Sequence, residues 1–241
     1  MRISKKIKET INKLPAGTTF KYRDLNISNS EYGAATKTIE RLIAEKIIKR
    51  ISTGVFYKPQ KTVFGELKPG EENLLRPYLF IGNNRIAYIT GTALYNRMGL
   101  TSQVPKDIKV ASKVKEIRTR IGNINVRRVK SYIDVTTLNY HLLEILDALK
   151  DFKLIPDLDR KAAIKLLIAA IASLKKKELL RLLQYVNEYP PRTRAFLGAL
   201  LEKINMDLNL DYLKQSLNPL TEYKLGILPD ILSTAEKWNI K

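Results

Sequence analysis

Near the start of the chain, Ile3, Ile7, Ile11 and Leu14 recur at spacings of four, four and three, with Lys5, Lys6, Lys8 and Lys13 between them. That period places the aliphatic side chains on one helix face and the ammonium groups on the other. Pro15-Ala16-Gly17 stops the helix. Thr18 to Phe20 reads as a short strand and Tyr22 to Leu25 as a brief second helix. Ser28 and Glu31 then have capping-box spacing, in which each side chain satisfies an orphan backbone donor. The helix opened there should turn Ala35, Ile39, Leu42 and Ile43 inward, leave Lys37, Thr38 and Arg41 outside, and end near Glu45 or Lys46. Two β-rich runs, Ile47 to Ile51 and Val55 to Lys58, flank Ser52-Thr53-Gly54 as a hairpin.

Helix, short strand, helix, helix, hairpin is the order of a winged helix-turn-helix, whose third helix enters the major groove beside a hairpin wing. Ser30, Tyr32, Thr36 and Lys37 near the start of that helix, with Arg41 further along, are the candidates for reaching base edges. Lys49, Arg50, Thr53 and Lys58 on the wing would meet phosphates, which position a protein without reading sequence.

Residues 61–71 look like a connector with Gly65, Pro69 and Gly70. Beyond it the pattern predicts a helix near 72–80, a strand over 85–90, a helix over 92–98 closed by Gly99, and strands at 107–111, 116–121 and 123–129. From Leu138 the period is helical: Leu142, Leu143, Leu146 and Leu149 form one stripe, and further helices follow to Ile204. The tail carries the only tryptophan, Trp238, and should dock. The predicted fold class is therefore α+β. An N-terminal winged helix-turn-helix occupies 1–60 and a connector 61–71, with a C-terminal domain over 72–241 that is mixed α/β to 134 and mainly helical from 135.

Charge gives this layout a direction. The chain carries 43 Lys and Arg against 24 Asp and Glu, a formal +19, which calls for a polyanionic partner. Residues 1–60 hold 13 basic and 5 acidic side chains, a net +8 on the expected reading head. A second cluster runs from Lys106 to Lys130, where Arg118, Arg120, Arg127, Arg128 and Lys130 form a secondary basic surface, and the alternation Ile117, Arg118, Thr119, Arg120, Ile121 would make one sheet face positive. With no cysteine and one histidine, thiol chemistry and Cys-ligated metals are excluded and His-rich sites have no second ligand. The N-terminal residues show no secretory signal and the apolar stretch 162–174 is too short to span a bilayer, so the expected location is the cytoplasm.

No catalytic, cofactor-binding or metal-binding residue is expected, no small-molecule substrate, and the chain reads as a non-enzyme. Pro156-Asp157 with Glu222-Tyr223-Lys224 has the outline of a nuclease pair, but Pro-Asp opening a helix is the ordinary cap signature. His141, one step from a leucine stripe, reads as structural, and most of the 12 tyrosines as packing residues with a wet hydroxyl.

Several runs resemble the AbiEi family of antitoxins and transcriptional regulators. They are 11–17 (INKLPAG), 39–50 (IERLIAEKIIKR), 54–57 (GVFY), 90–94 (TGTAL), 98–105 (MGLTSQVP), 194–202 (RAFLGALLE) and 216–221 (SLNPLT). The resemblance implies an abortive-infection toxin–antitoxin pair, with a winged helix that binds inverted repeats of double-stranded DNA in its own promoter and represses the operon. It also implies a C-terminal domain that counters a cognate nucleotidyltransferase-like toxin. The alternative left by the residues themselves is a protein-interaction module whose basic sheet docks an acidic partner without reading DNA.

Overall fold

Ile7 and Ile11 are buried on helix α1 (Ile3–Lys13), and Gly17, at φ 80°, makes the turn into strand β1 (Thr19–Lys21) that a side chain would strain. A 3-10 turn at Tyr22–Leu25 and a second at Asn29–Glu31 lead into α2 (Tyr32–Ala44). The capping box forms as spaced: the Ser28 N–H donates to Glu31 Oε2 at 2.9 Å. That backbone bond, with the Ser28 hydroxyl, holds the Glu31 carboxyl below the usual range. Strands β2 (Lys49–Ser52) and β3 (Val55–Tyr57) close a three-stranded antiparallel sheet in the order β1-β3-β2. Its core is Ile7, Ile11, Phe20, Ile39, Leu42 and Phe56 with their neighbours.

The structure, a computed structural model, describes residues 3–63, 65–67, 69–113, 118–121, 124–205 and 208–241, without the side chains of 61, 71, 72, 118 and 119. By packing, the chain divides into two compact units: residues 1–86 with 117–126, and residues 87–116 with 127–241. The architecture is mixed α+β.

Two sequence expectations fail in the first unit. Thr38 is buried, because its hydroxyl donates to the Ala34 carbonyl at 2.8 Å and so brings no unsatisfied polar group inward. The stretch expected as a connector carries a second hairpin, β4 (Gln60–Thr62) with β5 (Gly65–Leu67). Helix α3 (Glu71–Leu79) and the short hairpin β6 (Phe80–Ile81) and β7 (Asn84–Arg85) complete the unit's continuous part.

In the second unit the strand expected over 85–90 begins only at β8 (Tyr88–Thr90), which precedes α4 (Thr92–Arg97) and pairs antiparallel with β9 (Asp107–Ser112). Strand β10 (Arg118–Ile121) belongs to the first unit, and β11 (Ile124–Lys130) runs from the first unit into the second. The strand starts expected at 116 and 123, and the hairpin junction at 122–123, lie outside the described residues. Helices α5 (Tyr140–Asp151), α6 (Arg160–Ala172), α7 (Lys176–Tyr185), α8 (Pro191–Ile204) and α9 (Asp211–Gln215) then enclose the larger core. The cap of α6 is Asp159, which accepts from the Ala162 N–H at 3.0 Å, and not the Pro156-Asp157 pair; Asp157 sits in a turn at φ 52°.

The tail docks as expected. The Trp238 ring lies where a Cβ on Gly198 of α8 would stand, and its indole N–H donates to Glu202 one turn on, at 2.7 Å. The Lys237 ammonium, then the indole, hold Glu202 below the usual carboxylate range against the opposing pull of burial. Among the described residues no helix is long and apolar enough to cross a membrane.

Candidate nucleic-acid interface

Helix α2 has two unlike faces. Ala35, Thr38, Ile39 and Leu42 are buried, while Tyr32, Gly33, Lys37, Glu40 and Arg41 are exposed. The exposed set recurs at helical spacing, and Gly33 leaves open space where a side chain would project, so a flat groove wall can approach the backbone there. A line of rings fixes the start of this helix. Phe20 and Phe56 stand 5.8 Å apart, Tyr22 meets Phe56 edge-on at 5.2 Å, and Tyr32 lies 4.9 Å from Tyr22. The half-exposed Tyr32 is thereby anchored to the core.

Ser30 is exposed in the turn before α2, its Oγ 3.0 Å from that of Ser28. Thr36 donates to the Tyr32 carbonyl at 3.0 Å, and Arg41 pairs with Glu45 at 3.7 Å on the same surface. Lys37 has no hydrogen bond or ion pair with any described residue, so its charge is free for a partner.

The wing residues separate into two kinds. Thr53 is exposed at the turn, where Gly54 adopts φ 72°, and the Arg50 guanidinium lies 5.7 Å from the Phe56 ring centre with its charge in water. Lys49 instead donates to Glu66 of β5 at 2.6 Å, and that bond raises its pKa despite the opposing effect of burial. Lys58 donates to the carbonyls of Asn12 and Leu14 at 2.8 Å each, closing the C-terminal end of α1. Sequence spacing shows that a lysine lies on a wing; it does not show that a neighbouring hairpin or helix end has already taken its proton donors.

Of the expected secondary basic surface, Arg120, Arg127, Arg128 and Lys130 have described side chains. Arg127 and Arg128 are adjacent on β11 and so project to opposite faces. Arg127 stands 3.8 Å from Asp107, and Arg128 donates to the carbonyls of Ser112 and Lys113 at 2.9 and 3.1 Å. Lys130 and Arg120 are exposed, and Arg120 has an interaction of its own; the Arg118 side chain lies outside the described residues.

His141 bonds Glu178 at 2.9 Å, and Glu178 is held below the usual carboxylate range, first by the Lys175 N–H and then by the imidazole. Asp157 accepts from Gln103 at 2.8 Å and Glu222 pairs with Lys241, so the nuclease outline has its carboxylates on separate partners. Among the described residues no three His, Cys, Asp or Glu gather as metal ligands.

What sequence reading missed lies inside the second unit. Asp147 of α5, its side chain 3% exposed, accepts from Tyr88 at 2.9 Å and Thr90 at 2.7 Å on one oxygen. Its other oxygen accepts from Lys150 at 3.0 Å and Tyr189 at 3.4 Å. Tyr95 donates to Asp151 at 2.6 Å. These tyrosine hydroxyls are dry, contrary to the wet-hydroxyl expectation, and burial first, carboxylates second, push all three phenols well above their ordinary range. Burial pulls the Lys150 ammonium down, and Asp147 with Asp151 more than reverse it. The available signal was Asp147 standing among Leu142, Leu143, Ile145 and Leu146, an acid in an apolar stripe.

Residues 6–152, more than half of the chain, match the family of unknown function DUF6088. The chain belongs to that family. The DUF6088 match runs from α1 through α5 and so takes in both the exposed face of α2 and Asp147. The crystal structure of the RV2827C protein from Mycobacterium tuberculosis is similar to this DUF6088 chain at a TM-score of 0.50 and 11% identity, covering 100% of this chain and 91% of the other. A likeness at that identity concerns the fold alone. No curated protein matches the chain.

Proposed function

We propose that residues 1–60 of this DUF6088 protein form a winged helix that binds double-stranded DNA. In this reading α2 enters the major groove and the β2–β3 turn lies along the backbone. The observation that carries the proposal is the exposed face of α2, where Tyr32 is anchored by the ring stack and the Lys37 ammonium is uncommitted. The order of α1, β1, the 3-10 turns, α2 and the β2–β3 hairpin supports it. Arg50 and Thr53 at the turn are the phosphate contacts; Lys49 and Lys58 contribute less, because Glu66 and the end of α1 already engage them. The resemblance to AbiEi antitoxins extends the reading to a cytoplasmic autorepressor that counters a nucleotidyltransferase-like toxin, with no catalytic step of its own.

Titrating a labelled duplex from the protein's own upstream region tests the DNA reading. Affinity should fall with salt at a log–log slope of about −0.9 per phosphate contacted. Lys37→Ala should cost about 1–3 kcal/mol if the ammonium reaches a base, against a smaller, sequence-independent loss for Arg50→Ala. Equal affinity for the upstream and a scrambled duplex would remove the sequence-specific reading. The antitoxin reading is tested separately, by growth rescue in cells expressing the product of the adjacent reading frame; continued arrest counts against it. The alternative of an acidic partner on the β10–β11 sheet is weakened by the internal bonds of Arg127 and Arg128.

A further inference from the structure

In the second unit a cleft of about 330 Å³ is lined by Pro190, Pro191 and Arg192 at the start of α8 and by Asn218, Thr221 and Tyr223 in the segment after α9. None of these residues is acidic, and the neighbouring Glu222 is paired with Lys241. Arg192 is exposed, and its guanidinium has no hydrogen bond or ion pair with any described residue. Pro190 gives α8 no side-chain cap. The Thr193 and Arg194 N–H groups turn back onto the Pro190 carbonyl at 2.8 and 3.3 Å, which leaves the Arg192 N–H without a partner among the described residues. The positive end of a 14-residue helix thus opens on the cleft beside an uncommitted cation.

Tyr223 is the second sign of a ligand. It is 6% exposed and lines the cleft, and its hydroxyl has no hydrogen-bond partner among the described residues. Arg194 Nε is likewise buried without a partner, although the same guanidinium donates through Nη1 to the Ser216 carbonyl at 3.1 Å. Burial pushes the Tyr223 phenol up and the Arg194 charge pulls it down, so the two groups lie near each other. Each buried donor left without an acceptor costs about 1–3 kcal/mol, and two of them at a cleft with no acid mark the place of an acceptor supplied from outside. The remaining lining is apolar: two proline rings and the tyrosine ring, with Leu220, between Asn218 and Thr221, 90% exposed. The volume is at the small end of the ~300–1,000 Å³ of ligand sites and suits one ring-sized apolar body.

We propose that this cleft binds a carboxylate carried on a compact apolar body, the chemistry shared by a free organic acid and the last residue of a polypeptide. The Arg192 guanidinium and N–H hold the carboxylate. The Thr221 hydroxyl and the amide of Asn218, whose Oδ1 is already spent on the Leu220 N–H at 2.9 Å, donate from the other wall. The apolar body rests on Pro190, Pro191 and Leu220, and its entry shifts the exposed loop 218–221 and brings Tyr223 its acceptor. The proposal goes beyond the DNA reading and does not depend on it, since the cleft lies wholly in the second unit and its test contains no DNA.

The test is calorimetric titration of the full chain with N-acetyl-phenylalanine, its carboxamide, and the peptide Ser-Gly-Ser-Gly-Phe with a free C-terminus. The carboxamide should bind about tenfold or more weaker than the acid, and Arg192→Gln should weaken the acid by about the same factor. Lys165→Gln, the same charge change on exposed and unpartnered α6, should stay within about twofold. Tyr223→Phe should weaken the acid about threefold or more while leaving Tm unchanged or raised, because it removes a hydroxyl the fold itself leaves unpaired. A peptide about tenfold tighter than the single residue assigns the site to chain ends, and equal affinity assigns it to free acids. Absence of binding, equal binding of the carboxamide, or indifference to Arg192→Gln overturns the proposal. So does unchanged affinity in Tyr223→Phe, which would give the orphan hydroxyl to a buried water, or displacement by equimolar inorganic phosphate, which would reduce the site to a bare anion contact.

Discussion

Ile7, Ile11, Ile39 and Leu42 pack with Phe20 and Phe56 in the first unit, and no ionisable carboxylate or ammonium is buried with them among the described residues. The interior of the second unit surrounds Asp147 with Tyr88, Thr90, Tyr189 and Lys150. The contrast separates two ways of using charge. An apolar core is non-directional, so the first unit keeps its ammonium groups outside, where a polyanion can reach them. A buried carboxylate accepts only the arrangement in which every donor reaches it, so Asp147 specifies how α5 seats against β8 and the turn before α8.

The sharpest way to break this contrast is Asp147→Ala. It leaves three hydroxyls without their acceptor and the Lys150 ammonium with Asp151 alone at 3.8 Å, and urea unfolding should show a loss of about 3–5 kcal/mol, with Asp147→Asn losing less. A loss under about 1 kcal/mol would mean that the network carries no specificity. In the first unit, Ile39→Ala should cost about 2–5 kcal/mol by cavity formation alone, and the proposed DNA binding should weaken with it because α2 loses its seat. Retained affinity at reduced stability would detach α2 from the binding surface.

Alkaline titration compares the interiors without mutation. Tyr88, Tyr95, Tyr189 and Lys150 all have raised pKa values in the folded chain. Their stabilisation is therefore complete below the unfolded values near about pH 10 and is lost as pH rises toward the folded ones. The urea midpoint should fall above about pH 10, with tyrosinate absorbance from these residues appearing together with unfolding. Their ionisation in a still-folded chain would contradict the dry network. The smallest effect expected is from Ser28→Ala, which removes the hydroxyl's 2.9 Å bond to Glu31 and keeps the backbone one, a loss of about 0.5–1.5 kcal/mol from the turn before α2, read by thermal melting.

Much of the backbone pattern was legible. The stripe at Ile7 and Ile11, the capping box at Ser28 and the inward set Ala35, Ile39 and Leu42 follow from spacing, because an apolar face or a cap is a local property, while the docking of Trp238 followed from the size and apolarity of its ring. Thr38 was not legible as a core residue, because its hydroxyl is satisfied by its own helix and polarity ceases to mark exposure. The candidate site divides likewise. Lys37, Arg41 and Tyr32 fall on the exposed face that periodicity assigns them, while Lys49, Lys58 and Arg128 are engaged by partners 17, 44 and 46, and 16 residues away respectively.

Periodicity, caps and charge counts thus settle which residues form α1, α2 and the hairpin and which faces are apolar, because these depend on neighbours within a few positions. Which cations remain free, and where the acid in the α5 stripe finds its donors, depends on residues brought together from 42 to 59 positions apart at Asp147. Hydrogen-bond donors are few and each is consumed by whichever acceptor packing brings within about 3 Å, so the availability of a charged group is a tertiary property even where its presence is a sequence one.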